Sequence, residues 1–254
     1  MNKDYQHPSE IIKDITYKDL KDTNVVFVNM PIREAAAPTT TPQGPLLLAT
    51  NLRDNYGVNA SIIDLNGYRI RDNYAKEKKL LNGRSLTLSE TFELLKKHFR
   101  VYWEPDLVAL SGIITTLGWQ ENISKIVREL SQNTFLVSGG GLATELREGL
   151  FTYIPELNGV AHSEGDDVVV KIVYDTKIIR QRGLESAVSS GKLAPYYVGI
   201  IKGRPRFVYA GARPFDLNAI PFADLDFLKK DVNGFSVLEY YIGNAVWGKM
   251  ANNS

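Results

Sequence analysis

The chain has 254 residues, 44% of them hydrophobic and 23% charged, and its formal net charge is +1. This balance is typical of a soluble globular protein and argues against nucleic acid or an acidic membrane as a partner. The chain has no cysteine, which excludes disulfides, thiolate zinc sites and cysteine-ligated iron–sulfur clusters within it. We expect a cytoplasmic protein, because no apolar run reaches membrane-spanning length and residues 1–22 lack the apolar core of a signal peptide.

Five apolar runs of strand length alternate with helical patterns through the first two thirds of the chain. The runs cover residues 24–29, 58–65, 106–111, 133–137 and 157–161, and the helical patterns fall at 45–56, 87–102, 123–130, 142–150 and about 168–174. Such alternation predicts a parallel sheet with helices on both faces. We therefore predict an α/β fold, a doubly wound five-stranded parallel sheet in the flavodoxin-like order 2-1-3-4-5.

Local signals mark some of the helix ends. Pro45 suits the first residue of a helix, and Gly57 suits its end. Thr87 and Glu90 have the spacing of a capping box. Residues 66–84 are polar and charged, and we interpret them as a surface excursion.

The pattern changes after residue 175. Two short runs at 196–201 and 206–210 flank Lys202 and Gly203 and predict a hairpin. Residues 212–221 have the composition of an extended connector. The predicted organisation is a polar lead-in at 1–22, the sheet domain at 23–176, and a hairpin and connector at 177–254.

Four unusual loops follow predicted strands, at 30–45, 111–119, 138–145 and 162–167. Ligands of open parallel sheets bind beyond the carboxyl ends of the strands, where these loops meet. The third loop holds three consecutive glycines, which cost backbone entropy and need a local reason. That reason is either a tight strand-to-helix turn or the close approach of a ligand, and the glycines alone do not decide between them.

Several familiar sites are missing from these loops. There is no Gly-x-x-x-x-Gly-Lys-Ser/Thr loop, no Gly-x-Gly-x-x-Gly after the first strand, and no Gly-x-Ser-x-Gly. Ser111 stands where a receiver domain needs an aspartate. The three histidines lie far apart, so we expect no all-protein metal site. These loops suit a large, mostly neutral ligand, and we predict no catalytic residue.

The motifs of the loops occur in an order and spacing that match a known family. They are Pro31 with Pro42-x-Gly44 and Leu48-Ala49, then Ser111-Gly112 with Thr115-Thr116, then Gly139-Gly140-Gly141-x-Ala143-Thr144, then Glu164-Gly165-Asp166, and finally Ala219-Ile220-Pro221-Phe222. Over roughly residues 24–222 the chain resembles the cobalamin-binding domain at the N-terminus of cobalamin-dependent radical S-adenosylmethionine enzymes. The last motif resembles the segment that connects this domain to the catalytic barrel in the family.

The resemblance implies a corrinoid across the carboxyl edge of the sheet, with its nucleotide tail along the fourth- and fifth-strand loops. Gly139, Gly140 and Gly141 would leave room for the tail, and Ser138, Thr144 and Glu164 would hydrogen-bond it or the corrin amides. The loops 30–45 and 111–119 would face the ring. The implied cofactor-binding residues are Pro31, Ile32, Pro42, Gly44, Ser111, Gly112, Ile113, Thr115, Thr116, Leu117, Ser138, Gly139, Gly140, Gly141, Ala143, Thr144, His162, Glu164 and Gly165.

Two departures from known cobalamin proteins shape the prediction. Where other cobalamin proteins place a histidine ligand to cobalt, residues 30–35 contain none, so we predict base-off binding without histidine ligation, with loop 111–119 over the lower cobalt face. The family's Cys-x-x-x-Cys-x-x-Cys motif is absent, so S-adenosylmethionine and a [4Fe–4S] cluster are expected only in a downstream domain of the full-length chain, its predicted partner. The chain is then the cofactor-binding part of a methyltransferase-like enzyme.

Simpler interpretations stay open for several residues. Ile113, Ile114 and Leu117 can equally be core residues, and Trp119 a buried anchor of the next helix. His162 suits a hydrogen-bonded rim residue better than a metal ligand, and Asp166 suits a helix start. The alternative for the whole chain is a stand-alone doubly wound binding or sensor module with another ligand or none.

Overall fold

A computed structural model describes residues 6–32, 40–77, 79, 86–193, 196–201 and 203–243, with residues 72–77 described by their backbone. Its centre is a seven-stranded sheet in the order β2-β1-β3-β4-β5-β7-β6. The strands are β1 (Asn24–Asn29), β2 (Asn59–Asp64), β3 (Leu107–Ser111), β4 (Phe135–Gly139), β5 (Gly159–His162), β6 (Tyr197–Ile201) and β7 (Arg204–Ala210). All neighbouring pairs are parallel except β6 and β7.

Helices connect the strands and cover both faces of the sheet. They are α1 (Pro8–Ile12), α2 (Tyr17–Leu20), α3 (Gln43–Tyr56), α4 (Leu65–Glu77), α5 (Leu88–Val101), α6 (Leu117–Leu130), α7 (Gly141–Leu146), α8 (Leu150–Tyr153), α9 (Asp166–Arg182), α10 (Leu184–Ser189) and α11 (Val237–Gly243). The α/β class and the order of the first five strands are as predicted, because continuous apolar runs form strands that are buried on both faces.

The predicted number of strands was wrong. The hairpin is part of the same sheet, since β7 pairs in parallel with β5, from Gly159 opposite Phe207 to His162 opposite Ala210. Strand β6 then pairs antiparallel with β7 and forms the edge. Pairing between β5 and β7 joins residues 48 positions apart in the sequence, so no local pattern reports it.

Residues 66–84 were also misjudged, as far as the described residues extend. Leu65–Glu77 form helix α4, and Asn66, Tyr68 and Arg69 are buried. Their polarity has a tertiary cause. Asn66 accepts hydrogen bonds from the Ile32 amide (3.1 Å) and from Arg69 Nε (2.9 Å). In the sequence alone, polar residues whose partners are buried therefore have the pattern of a surface segment.

The other helices follow their local signals, with shifted bounds. Helix α3 ends at Gly57, whose φ of 63° is left-handed, and Thr87 with Glu90 forms the predicted capping box of α5. Helix α9 is longer than the predicted stretch at 168–174 and runs through residue 176, the predicted domain limit. The stretch predicted as helix at 142–150 is α7 followed by a 3-10 turn, Arg147–Gly149.

The sheet separates two apolar cores. One core holds Phe27, Ala109 and Val137 against α3 and α9, and the other holds Val28, Leu110 and Leu136 against α5 and α6. Alternate strand residues thus point to opposite faces. Among the described helices, none combines the length and the apolar character needed to cross a membrane.

Candidate functional site

A cavity of about 270 Å³ opens at the carboxyl edge of the sheet, between the sheet and helices α3 and α9. Its floor is a row of side chains on one sheet face. Phe27, Ala109 and Val137 are direct cross-strand neighbours in β1, β3 and β4, and Ala161 lies on β5 two residues beyond Gly159, the partner of Val137. Leu48 closes the cavity from α3, and Ile172 closes it from α9. The interior is therefore apolar.

The rim of the cavity is polar and partly acidic. It is formed by strand ends and by the start of α9, through Ser111, Gly139, Gly140, His162, Ser163, Glu164, Gly165 and Asp166. No lysine or arginine belongs to the part of the lining that the structure describes. Such a rim offers hydrogen bonds to a neutral polar group, while the floor favours an apolar group.

The rim loop, residues 162–165, connects β5 to α9. Ser163 has a left-handed φ of 66°, and its amide donates to Thr144 Oγ1 at 3.1 Å. The hydroxyl of Ser163 lies 3.2 Å from His162 Nδ1. The loop is thus tied to α7, the helix that follows the glycine run.

Two titratable groups of the rim are shifted from their ordinary behaviour. Burial lowers the pKa of His162, and Arg147 lowers it further, so its imidazole is neutral at pH 7. Burial raises the pKa of Asp166, and the carboxylates of Glu164 and Asp167 raise it further. Neutral His162 keeps one nitrogen as a donor and one as an acceptor, which suits an uncharged amide.

Only one of the three glycines in the run is required by the backbone. Gly140 has a φ of 79°, and a Cβ there would lie 2.9 Å from Gly112 O. This contact lets the Leu142 amide donate to the same oxygen at 3.1 Å. The nearest atoms to a Cβ at Gly139 and Gly141 are at 3.9 Å and 3.5 Å, which is ordinary contact. The tight-turn explanation thus accounts for Gly140, while Gly139 and Gly140 both line the cavity.

The structure brings together seven of the nineteen residues predicted to contact a cofactor. Those in the cavity lining are Gly44, Ser111, Gly139, Gly140, His162, Glu164 and Gly165. Gly112 lies against Gly140 and Ile113 against Gly141 of the glycine run, and Thr144 holds the rim loop. Ile113 and Ile114 are 46% and 53% exposed, so neither is a core residue, and Leu117 is half-buried against the core.

The remaining predicted residues lie away from the cavity. Ser138 is fully buried on the opposite sheet face, where its hydroxyl donates to Gln120 at 2.7 Å. Thr116 is buried and donates to Ile113 O, and Thr115 is exposed. Ala143 is a core residue. Pro31 and Ile32 approach α4, and Pro42 precedes α3. Part of loop 30–45, residues 33–39, lies outside the described residues.

Sequence reasoning missed the floor of the cavity. Phe27, Ala109, Val137 and Ala161 have the appearance of ordinary strand residues, and nothing local separates them from the core. One usable signal was size, since alanines at two inward-facing strand positions leave room that larger side chains would fill. Trp119, predicted as a buried anchor, lies in the first turn of α6, where it is half-buried and packs against the core.

The structure contains no group of three or more histidine, aspartate or glutamate side chains placed to hold a metal, within the residues it describes. Comparison of the chain with models of known protein families found no match, and comparison with curated proteins found none either. The geometry of the cavity therefore carries the functional argument, together with the resemblance of the loops.

Proposed function

We propose that this chain binds cobalamin, base-off and without histidine ligation, as the cofactor-binding part of a radical S-adenosylmethionine methyltransferase-like enzyme. The observation that carries the proposal is the apolar cavity of about 270 Å³ at the carboxyl edge of the sheet. A flat heteroaromatic base fits such a cavity, because its faces can lie against Phe27, Val137 and Ile172. The ring would then lie across the strand ends outside it.

The polar rim supports the same ligand. Corrin carries neutral amide side chains, which need donors and acceptors more than charge, and Ser111, His162 and Ser163 supply both. Nucleotide polyphosphates use basic side chains or a phosphate-binding loop, and neither occurs among the described lining residues. The rim is therefore better suited to a corrinoid tail than to a polyphosphate.

The loops beside the cavity support a cobalt without a histidine ligand. Met30 and Pro31 are buried directly after β1, and the sequence has no histidine between residues 30 and 45. The exposed Ile113 lies against Gly141 of the glycine run, and the exposed Ile114 follows it in the chain. An apolar surface under the ring would leave the lower cobalt face without a nitrogen ligand and so favour low coordination, as methyl transfer requires.

The test is to titrate the purified chain with hydroxocobalamin and to follow both its absorbance and the cobalt that co-elutes on gel filtration. We expect stoichiometric binding by the wild type and at least ~10-fold weaker binding by Ala161→Phe, which fills the cavity floor. Val198→Phe is the matched control, because Val198 is 57% exposed on the edge strand β6. A chain that retains no corrinoid would refute the proposal, as would equal binding by all three proteins.

The axial state has its own measurement. Electron paramagnetic resonance of the cob(II)alamin complex should show no superhyperfine splitting from an axial nitrogen. Splitting by a nitrogen would show that His162 or the cofactor's own base ligates cobalt, and would refute the base-off proposal without histidine ligation.

The same cavity supports a second candidate, a stand-alone binding or sensor module for another flat apolar molecule. The described lining residues of the cavity belong to the sheet, to helices α3 and α9 and to the loops between them, so the cavity forms within this chain. Native mass spectrometry of the protein from its own host would separate the candidates. A bound species without cobalt would favour the module, and a corrinoid mass would favour the enzyme.

A further inference from the structure

Gly211, the first residue after β7, lies against the rim loop without lining the cavity itself. Its amide donates to His162 O at 2.9 Å. A Cβ at this position would lie 1.7 Å from Glu164 O, 2.7 Å from Glu164 C and 2.9 Å from Glu164 N. All three are backbone atoms, so no side-chain rotation can relieve the contact.

The backbone conformation does not explain this glycine. Gly211 is not among the residues with a positive φ. Close approach to Glu164 is therefore the physical reason for a residue without a side chain here. The position of the rim loop and the identity of residue 211 depend on each other.

The chain that continues from Gly211 is fixed to the start of α9. The Phe215 amide donates to Ser9 Oγ at 3.2 Å, and Ser9 Oγ donates to the Asp167 carboxylate. The rings of His7 and Phe215 are stacked, with centroids 4.1 Å apart. Asp167 follows Asp166, which lines the cavity. The segment 211–215 is thus joined to the rim loop at Gly211 and, through Ser9, to Asp167 beside the rim at Phe215.

We propose that Gly211 is a positioning residue for the cavity, and that it couples segment 211–215 to occupancy of the site. Gly211 sets where the backbone of Glu164 lies, and the loop in turn places His162, Ser163 and Gly165 on the rim. A ligand that fixes the rim loop must also fix segment 211–215, because the two backbones share one contact surface. This inference rests on the proposed function for its choice of probe.

The first test compares Gly211→Ala with Gly149→Ala. Gly149 has helical dihedral angles and open space around its Cα, so it serves as the matched control. In the unliganded protein, we expect amide hydrogen exchange over residues 162–167 to be at least ~3-fold faster in Gly211→Ala than in the wild type and the control. We expect the Kd of Gly211→Ala for hydroxocobalamin to be at least ~10-fold higher than that of the wild type. The thermal unfolding midpoints of the three proteins are measured alongside for comparison.

A second variant, Ser9→Ala, removes the two hydrogen bonds that join Phe215 to Asp167 through Ser9, and it leaves the cavity lining intact. Bound hydroxocobalamin should slow exchange over 211–215 in the wild type, and this protection should fall at least ~3-fold in Ser9→Ala. If Gly211→Ala folds with unchanged exchange over 162–167, the positioning role is wrong. If it does not fold, wild-type-like protection in Ser9→Ala overturns the coupling. A wild type that binds no cobalamin refutes the proposed function alone, because the exchange comparison of unliganded proteins still decides the role of Gly211.

Discussion

Gly140 and Gly141 are neighbours in the glycine run, and they differ in how strongly their positions require glycine. Gly140 combines a φ of 79° and a ψ of −164° with the close approach to Gly112 O. Residues with a side chain avoid this region of backbone conformation at a cost of about 1–3 kcal/mol. Gly141 begins α7, and a Cβ there meets Ile113 at an ordinary 3.5 Å.

Gly140→Ala should therefore lower the free energy of unfolding by about 2 kcal/mol or more, while Gly141→Ala should change it by less than about 1 kcal/mol. Urea denaturation followed by circular dichroism measures both. Equal losses in the two variants would show that the whole run, and not Gly140, is needed for the turn.

His98 makes the stability of the protein depend on pH. It is buried in α5 and lies 2.8 Å from Ser61 Oγ on β2, and burial lowers its pKa from 6.5 to about 4. Below pH 6.5 the unfolded chain takes up a proton that the folded chain does not. Stability is therefore lost as the pH falls from 6.5 towards 4, by about 3 kcal/mol at most.

His98→Gln should remove this part of the pH dependence, because glutamine keeps a hydrogen-bonding group near Ser61 without titrating. The measurement is the free energy of unfolding between pH 4 and 7.5 for both proteins. Burial raises the pKa values of Asp64 and Asp175, and these groups act with the opposite sign. The difference between wild type and variant cancels their contribution, and a difference that stays constant with pH would contradict the assignment to His98.

At the scale of elements, helix α11 is held on α4 by a contact that leaves no room for a larger residue. A Cβ at Gly67 would lie 2.0 Å from Val237 Cγ1, and Tyr241 of α11 donates to the buried Asp64 carboxylate at 2.6 Å. Overpacking such a contact costs about 1–3 kcal/mol. Helix α11 therefore covers the carboxyl end of β2 through a closely packed interface.

Gly67→Ala should destabilise the protein by about 2 kcal/mol, and Val237→Ala in the same chain should recover part of the loss because it removes the clashing methyl group. A double-mutant cycle by urea denaturation should give a coupling energy above about 1 kcal/mol. Gly118→Ala in α6, where a Cβ meets nothing within 4 Å, is the control. Additive effects of the two substitutions would mean that α11 does not rest on Gly67.

The elements also show what sequence patterns can and cannot predict here. Strands β1 to β5 were predictable because each contains a short apolar run, and the rim of the site followed because the carboxyl ends of parallel strands share one edge. Helix α4 escaped prediction, since its polar residue Asn66 finds partners such as Ile32 and Tyr241 that are distant in sequence. The cavity floor was missed for a related reason. Its residues look like core residues in the sequence, and they line a cavity only because α3 and α9 leave them uncovered.

At the scale of the whole molecule, the C-terminal part returns from one side of the sheet to the other. After β7 it contacts the rim loop through Gly211, then α3 through the ion pair of Asp224 with Arg53 at 2.7 Å, and finally α4 through Val237. It thus touches elements on both sides of the cavity. This path makes the hairpin and connector part of one cooperative unit with the sheet.

A chain truncated after Arg182, the last residue of α9, tests that conclusion. It lacks β7, whose Phe207 and Tyr209 are fully buried, with Phe207 5.4 Å from the Phe135 ring and Tyr209 OH 3.1 Å from Asp175. Losing two buried aromatic side chains removes about 6–10 kcal/mol, which is comparable to the whole stability of a typical domain, and it also uncovers the edge of β5.

The truncated chain should therefore lack a cooperative urea transition, lose its near-ultraviolet circular dichroism and bind a hydrophobic dye, as a loosely packed state does. The chain that ends after residue 243, which retains the described C-terminal contacts, should unfold in one sigmoidal transition. Cooperative unfolding of the shorter chain, within about 1 kcal/mol of the longer one, would contradict this view. The first five strands would then form an independent domain, and the hairpin only an addition to it.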